Sequence, residues 1–423
     1  MVTRTVFLGL AVLLAGKMST TDAQLFGNPT RTDIGVGTEA TGLSQNYTAV
    51  AQGSAALFWN PAGLAFLDGH NGQAGIGGLR TSTTTLFSRY GTGSEVETSF
   101  QRIRPGNIAY SRGIQGRRRG FGFGLGYQNP YLLDAVLNYS GSYTQNGDAI
   151  ELRNYYKSKG QLDFWTGGFG FQIAPEFGVG LALSVVTGSS TEELIFEKRT
   201  NGAIADADND AYLDYAERSY RGLDARLGLL LRPTDAFSLG MRIAFPSAID
   251  FSESGREELP AKDGEYYAWS LDGDVRSYYS GALGLSYRFP FMLISADLAA
   301  RAPDPDAYSY DNQRNYWQMG GGVGVEVALV PSTLRGRIGY RYQDFDPNPY
   351  LVYYDGEVFG ENDLPVESEV GEHTFATGLS YCLTSNIKLD AAYSVRKFTA
   401  ATGNALSEDR YDQRLLGGIA FNY

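Results

Sequence analysis

Cysteine and histidine are almost missing from this chain of 423 residues. The single cysteine, Cys382, excludes an intrachain disulfide and a zinc site built from cysteines. Two histidines, His70 and His373, argue against catalysis or metal binding that depends on histidine. Positive charge is also in deficit, because the formal net charge is −12. An acidic chain of this kind is not expected to bind nucleic acid.

Long apolar runs are missing as well. The mean hydropathy of −0.24 excludes a bundle of apolar membrane helices. The sequence contains no nucleophile elbow, metal-ligand cluster or phosphate-binding loop, so it predicts neither an enzyme nor a required cofactor. Glycine, tyrosine and phenylalanine are instead abundant, with 53, 29 and 23 copies. This composition is expected of many alternating strands with aromatic girdles.

Residues 1–23 have the features of a secretory signal peptide. Arg4 supplies the positive charge, residues 6–14 are apolar, and small residues at Thr21 and Ala23 suit cleavage before Gln24. The apolar run is too short to span a bilayer stably, which disfavours an uncleaved anchor. We therefore expect an exported protein.

From Gln73 to the carboxyl terminus, apolar residues alternate with small or polar residues. In the clearest stretch, Leu283, Leu285 and Tyr287 share one face. Alternation over about nine or more residues, with the apolar face outward, is typical of strands that cross a membrane. Soluble sandwiches also alternate, but their strands are usually only about 5–6 residues long.

The connections between these strands have two unequal lengths. Short turns are predicted at residues 174–176, 232–235, 288–290, 330–332 and 383–386. Long polar loops are predicted at residues 188–219, 247–276, 301–315, 344–372 and 398–410. Such asymmetry is typical of outer-membrane barrels. We therefore predict an all-β fold, a transmembrane antiparallel β-barrel of about fourteen strands over residues 68–423.

A different segment, residues 24–67, precedes the predicted barrel. It turns sharply at Asn60 and Pro61, because a residue before proline favours extended backbone. Residues 57–59, Leu-Phe-Trp, make the segment too apolar for a surface linker. We expect it to lie inside the barrel as a hatch.

The stretch from Tyr47 to Leu64 resembles the amino-terminal hatch of FadL-like outer-membrane transporters of long-chain fatty acids and aromatic hydrocarbons. Its motif is Asn60, Pro61, Ala62 and Gly63. The resemblance implies passive uptake of hydrophobic molecules across the bacterial outer membrane. A sister group, which includes the outer-membrane component of the type IX secretion system, shares this motif. It implies an alternative role as a structural or shuttle protein that binds secreted partners.

These expectations also define the partners. They are a hydrophobic small-molecule ligand, outer-membrane lipid and lipopolysaccharide, and the machinery that assembles outer-membrane proteins. The aromatic carboxyl terminus, Tyr423, resembles the signal that this machinery recognises. Tyr266 and Tyr267, in a predicted outside loop, would supply apolar area with polar edges for ligand capture.

Arginines recur on the face of the strands that is predicted to line the lumen. The candidates for holding a ligand headgroup are Arg226, Arg242, Arg288, Arg335, Arg337 and Arg341. A guanidinium group fits a planar carboxylate. Alternatively, these arginines pair with the inward acids Asp224, Asp297, Glu326 and Asp390, as in the polar network of such barrels.

One acidic segment has the spacing of a calcium loop. Its oxygen donors are Asp206, Asp208, Asp210, Tyr212, Asp214 and Glu217, with Tyr212 contributing its carbonyl. Ala211 replaces the glycine of such loops, and no apolar helix precedes it. The spacing predicts a structural calcium ion in an extracellular loop, and the alternative is a solvated acidic segment.

Overall fold

The computed structural model describes residues 32–33, 35–87, 94–117, 119–145, 147–206, 210–262, 265–276, 279–302, 317–344, 371–402 and 406–423. The predicted signal peptide lies outside these residues, as do residues 24–31 of the predicted hatch. Every helix in the described part of the chain is too short to cross a bilayer.

Within the described residues, fourteen antiparallel strands form a closed barrel, which confirms the predicted fold. The first seven are β1 (Gly69–Phe87), β2 (Ser94–Gln115), β3 (Gly120–Leu132 and Ala135–Gln145), β4 (Asp148–Ala174), β5 (Phe177–Thr200), β6 (Ala211–Leu231) and β7 (Phe237–Ala244 and Ala248–Leu259). The others are β8 (Glu265–Arg276 and Ser280–Arg288), β9 (Met292–Arg301), β10 (Gln318–Val330), β11 (Leu334–Asp344), β12 (Gly371–Cys382), β13 (Ile387–Thr402) and β14 (Leu406–Asn422). The barrel closes where β14 pairs with β1, for example at Leu415 and Gly78.

Three of these strands are interrupted, and each continues in the same ladder after the break. Both parts of β3 pair with β4, and the register shifts between Gln128 and Tyr131. Both parts of β7 pair with β6, and both parts of β8 pair with β7. The break in β3 brings both polar and apolar side chains, those of Asn129, Tyr131, Leu133 and Asp134, to the inside of the wall.

The predicted alternation of outward apolar and inward polar side chains is confirmed. On β11, Ile338 is 64% exposed, whereas its neighbour Arg337 is 3% exposed. Ile103 on β2 and Leu298 on β9 are also strongly exposed. These outward side chains form an apolar belt around the barrel, the arrangement expected of strands that face lipid.

The five predicted short turns are confirmed, since each connects two successive strands at one end of the barrel. We call this end the short-turn end. The prediction of loops at residues 188–219 and 247–276 is largely wrong. There β5, β6, β7 and β8 continue as paired strands beyond the apolar belt. No lipid faces these parts of the strands, so their outward side chains are polar. The alternation of apolar and polar residues that predicts a strand is therefore missing there. Residues 303–316 and 345–370 of two other predicted loops lie outside the described residues.

Residues 35–67, called the lumen segment below, precede β1 and consist of short helical turns. They are helix α1 (Thr38–Gly42), a 3₁₀ turn (Gly53–Ala55), helix α2 (Ala56–Trp59) and a second 3₁₀ turn (Pro61–Phe66). Asn60 is extended, as expected before proline, and its side chain accepts a 3.2 Å hydrogen bond from the N–H of Ala62. The Asn-Pro pair therefore starts the last turn with a side-chain cap.

Candidate functional site

The lumen segment is attached to strands on several sides of the barrel. Asn46 donates a 3.2 Å hydrogen bond to the carbonyl of Tyr340 on β11. Asn60 donates 3.0 Å hydrogen bonds to the carbonyls of Thr48, in its own segment, and of Leu229 on β6. Because β6 and β11 lie far apart around the barrel, the segment must cross its interior.

A buried carboxylate on β9 forms the most concentrated attachment. One oxygen of Asp297, Oδ2, accepts hydrogen bonds from the N–H of Tyr47 and from the N–H and hydroxyl of Thr48. Asp297 is only 4% exposed. Hydrogen bonds to a charged group are stronger than neutral ones, and a buried charge strongly requires them.

Glycine allows the lumen segment to approach the wall closely. A Cβ atom on Gly180 of β5 would lie 2.2 Å from the carbonyl carbon of Pro61. A Cβ atom on Gly322 of β10 would lie 2.6 Å from Oδ1 of Asn46. The glycine-rich stretch of β10 therefore marks contact with the lumen segment.

At the short-turn end, α1 is held by an ionic network. Glu39 forms ion pairs with Lys388 and, at 3.1 Å, with Arg337, and it accepts a 2.9 Å hydrogen bond from the hydroxyl of Tyr47. Burial alone would raise the pKa of Glu39, but Lys388 and Arg337 together hold this pKa far below its ordinary value. Beside the network lies a polar cavity of about 220 Å³. The network thus ties α1 to β11 and β13 through charged groups.

The opposite side of the lumen segment meets an apolar cluster. We call it the lumen cluster, and it consists of Tyr131, Leu133, Leu162, Phe164, Val186, Tyr220 and Ile249. Val186 lies six residues beyond Gly180 along β5, so the cluster is farther from the short-turn end than the Pro61 contact. Phe58 adjoins it, with its ring 6.4 Å from that of Tyr131. The lumen therefore has a buried apolar zone directly above the segment.

Four of the six predicted headgroup arginines are engaged with acids or aromatic rings. Arg226 pairs with Asp224 at 3.0 Å and stacks 3.9 Å from the ring of Phe58. Arg242 lies over the rings of Phe58 and Trp59. Arg335 and Arg337 both pair with Glu326, and Arg337 also approaches Asp390.

The remaining two predicted headgroup arginines, Arg288 and Arg341, lie in different parts of the lumen. Arg288 lines the polar cavity at the short-turn end. Arg341 lies near Asp297, and its buried Nε has no hydrogen-bond partner among the described residues. A headgroup role for any of the six stays a prediction.

The structure does not gather the predicted calcium ligands into one loop. Tyr212, Asp214 and Glu217 lie in strand β6, where Asp214 and Glu217 pair opposite Leu194 and Thr191 of β5. At about 3.3 Å per residue, a strand moves them too far from Asp206 to share one ion. The expectation of a twelve-residue loop is therefore wrong for these three.

At the start of the segment, Asp206 and Asp210 contact each other. The N–H of Asp206 donates to Oδ2 of Asp210, and Asp210 pairs with Lys198 at 3.0 Å. Asp208 lies outside the described residues. Within those residues no three His, Cys, Asp or Glu side chains are grouped to hold a metal ion. Calcium binding near Asp206 and Asp210 stays a prediction.

Two attachments were missed by the sequence analysis. Glu39 and Asp297 hold the lumen segment, yet each is a single acid without a motif around it. Asp297 was recognised as an inward acid, and its alternation with outward Leu298 was the available signal. Two of its three hydrogen-bond donors are backbone N–H groups, which no sequence pattern identifies.

No protein-family model and no curated protein matches this sequence. Solved structures do match its fold. The toluene transporter TodX of Pseudomonas putida has a TM-score of 0.60 at 16% identity, covering 92% of this chain and 99% of TodX. A FadL homologue of Pseudomonas aeruginosa has a TM-score of 0.57 at 12% identity, covering 92% and 98% of the two chains. The monoaromatic hydrocarbon channel CymD has a TM-score of 0.58 at 14% identity, with the same coverage. This chain therefore has the fold of the FadL-like and TodX-like channels, and the resemblance predicted from its Asn-Pro-Ala motif is confirmed at the level of the fold.

Proposed function

We propose that this protein is a passive channel of the bacterial outer membrane for hydrophobic molecules such as long-chain fatty acids or aromatic hydrocarbons. The lumen cluster carries the proposal. Barrel interiors are usually polar, so a buried patch of seven apolar and aromatic residues inside the wall indicates an apolar ligand. The similar channels of known structure support transport in general, and none of those named above is an enzyme.

In this proposal the lumen segment acts as the hatch. It separates the lumen cluster from the polar cavity at the short-turn end, and Phe58 forms the boundary with the cluster. Ligand would be captured at the end of the barrel opposite the short-turn end, where Tyr266 is 67% exposed and Tyr267 is 56% exposed. It would then enter the lumen cluster. Release requires either movement of the lumen segment or passage through the wall near the break in β3.

The test is uptake by proteoliposomes of a labelled fatty acid and of toluene. Changing Val186 to Asn places an amide in the lumen cluster and should reduce uptake of both at least about tenfold, since burying an unpaired amide is costly. Ser189→Asn, on the exposed face of the same strand, is the matched control and should leave uptake unchanged. Equal uptake by both variants and the wild type would reject the proposal.

The same experiment addresses the alternative function. A shuttle for secreted proteins would transport neither compound, and gently extracted protein would carry a defined protein partner instead of lipid. Transport down the gradient, without dependence on an energy source, is the expected result.

A further inference from the structure

We propose that the outside of the barrel wall over β11–β14 and β1 binds lipopolysaccharide, with Arg80 and Lys397 on the two phosphates of its lipid A. This inference concerns the outer surface and goes beyond the proposed function, which concerns the lumen. We call this surface the basic patch. Its members are Arg80, His373, Lys397, Tyr340, Tyr342 and Tyr411.

Strand pairing places the basic side chains close together on the outside of the barrel. His373 on β12 lies directly opposite Lys397 on β13. Lys397 lies opposite Tyr411 on β14, and Arg80 on β1 lies opposite Gln413, two residues nearer the short-turn end. His373 and Arg80 are exposed. The three basic residues therefore occupy two neighbouring rungs, the rows of residues that pair across adjacent strands.

The basic patch lies at the border of the apolar belt that is farther from the short-turn end. Phe375 on β12 belongs to the belt and is 60% exposed, and His373 is the next residue on the same face beyond it. Short turns face the periplasm in outer-membrane barrels, so this border meets the outer leaflet. The outer leaflet consists of lipopolysaccharide, whose phosphates lie where the acyl chains meet the sugar. The patch is therefore at the height of these phosphates.

Charge on this wall is ordered by distance from the belt. On the described parts of β11–β14 and β1, the outward residues of the two rungs that border the belt include no acid. Acids come one rung farther out, at Asp344 and Asp409, and Asp409 acts electrostatically on Lys397. The wall therefore changes from apolar to basic to acidic, and the basic level coincides with the level of the lipid phosphates.

The opposite wall does not share this order. There Trp165 on β4, which is 56% exposed, belongs to the belt. The first rung beyond it contains Asp163 on β4, Arg221 on β6 and Asp250 on β7, and Arg221 lies directly opposite Asp250. Acids at this height repel a phosphate, so a basic border without acids distinguishes the wall over β11–β14 and β1.

The side chains of the patch have donors to offer a phosphate. Arg80 forms no ion pair with any described residue. The ammonium of Lys397 lies 5.4 Å from the centre of the Tyr411 ring, which holds it against the wall. Nδ1 of His373 lies 2.9 Å from the hydroxyl of Tyr340, so Nε2 is the ring nitrogen available to a phosphate. Guanidinium and ammonium groups both bind phosphate through charge-assisted hydrogen bonds.

The spacing of Arg80 and Lys397 fits a lipid with two phosphates. One strand, β14, lies between them, and they are offset by two residues along the strands. At about 4.8 Å between strands and 3.3 Å per residue, their Cα atoms are about 12 Å apart. Lipid A carries its phosphates at opposite ends of a disaccharide, whereas a glycerophospholipid has one. The tyrosine rings of the patch supply apolar faces with polar edges for this boundary.

The experiment measures binding of three lipids to purified full-length protein in detergent by native mass spectrometry. They are lipid A with two phosphates, lipid A with one phosphate, and phosphatidylglycerol. The wild type should bind the first at least about tenfold more tightly than the others, and R80Q/K397Q should lose this preference. R80K/K397R keeps both charges and should retain it. K159Q/R221Q makes the same charge change on the opposite wall and is the matched control, which should bind like the wild type.

Three outcomes would overturn the inference. Undiminished preference for the doubly phosphorylated lipid in R80Q/K397Q would show that the basic patch is not the site. An equal loss in K159Q/R221Q would show that total charge, and not this wall, attracts the lipid. Equal binding of phosphatidylglycerol by the wild type would show that the patch accepts any anionic lipid. Toluene uptake by R80Q/K397Q should match the wild type, because neither residue faces the lumen, so this inference and the proposed function can fail separately.

Discussion

Thr48 and Asp297 are joined by a 2.7 Å hydrogen bond from the hydroxyl of Thr48 to Oδ2 of Asp297. The same oxygen accepts the N–H groups of Tyr47 and Thr48 at 3.0 Å each. One buried oxygen thus links the middle of the lumen segment to β9. The contact joins residues 249 positions apart in the chain, so this link depends on the position of β9 in the barrel wall.

Removing this link should loosen the lumen segment without opening the barrel. Asp297→Ala leaves three donors without their acceptor and should cost the segment about 3 kcal/mol, equivalent to about 100-fold faster hydrogen exchange at residues 46–50. Thr48→Val removes only the hydroxyl donor and should have a smaller effect. Asp235→Asn, in an exposed turn, is the control. Unchanged protection in Asp297→Ala would mean that packing alone holds the segment.

The close contact at Gly180 should make this position intolerant of a side chain. Gly180→Ala introduces a Cβ atom at 2.2 Å from Pro61 and must displace the lumen segment. We expect a higher ion conductance in planar bilayers, because a displaced segment opens a water path. Gly417→Ala is a suitable comparison, since a Cβ atom there meets nothing within 4 Å. Identical conductance in the two variants would contradict a sealing role for the segment.

Glu39 should stabilise helix α1 in particular. In Glu39→Ala, Lys388 and Arg337 lose the ion pairs that hold the helix, whereas Arg337 keeps Glu326 and Asp390. We expect a local loss of about 1–3 kcal/mol, seen as faster exchange at residues 38–43. The thermal unfolding of the barrel should change little. Glu197→Ala, which breaks an exposed pair with Arg199, provides the control. If the barrel lost as much stability as α1, the claim that Glu39 stabilises α1 and not the barrel would be refuted.

The strand extensions beyond the apolar belt should depend on pH. Burial raises the pKa of Glu192 to about 7, although Arg218 opposes this shift. Burial and then the charge of Glu257 raise the pKa of Asp214 to about 7. The folded state therefore prefers the protonated acids. Their contribution to stability is complete below the ordinary carboxyl pKa and is lost as pH rises through about 7.

Hydrogen exchange at the far ends of β5 and β6 measures this effect. Protection should be greater near pH 5 than near pH 8, after correction for the intrinsic exchange rate. The double variant E192Q/D214N should remove most of the difference, because neither amide titrates. Greater protection at the higher pH in the wild type would reverse the predicted sign.

Much of the architecture could be predicted from local patterns. Alternation of side chains has a period of two residues, so stretches such as Leu283–Leu285–Tyr287 indicate both the strand and its lipid face. The pattern failed at residues 188–200 and 211–219, where strands continue outside the belt and both faces carry polar residues. In these stretches the side-chain pattern does not reveal a strand, and only the structure shows that the backbone pairs with neighbouring strands.

The prediction that all six calcium ligands lie in one loop failed for a related reason. A spacing rule assumes that the chain folds back on itself, and Asp214 and Glu217 are instead held in an extended ladder by β5 and β7. The sequence predicted that inward arginines would pair with inward acids, but it did not predict the individual pairs. Inward arginines and inward acids could be recognised, but not which of them would meet.

The sequence by itself determined the antiparallel barrel, the lipid-facing side of its strands and the presence of an apolar segment that had to be buried inside the barrel. These properties follow from periodicity, turn residues and composition, which are local. The tertiary structure decided how Asp297 and Glu39 hold the lumen segment and where the lumen cluster forms. Those features depend on contacts between residues far apart in the chain, and closure of the barrel brings these residues together.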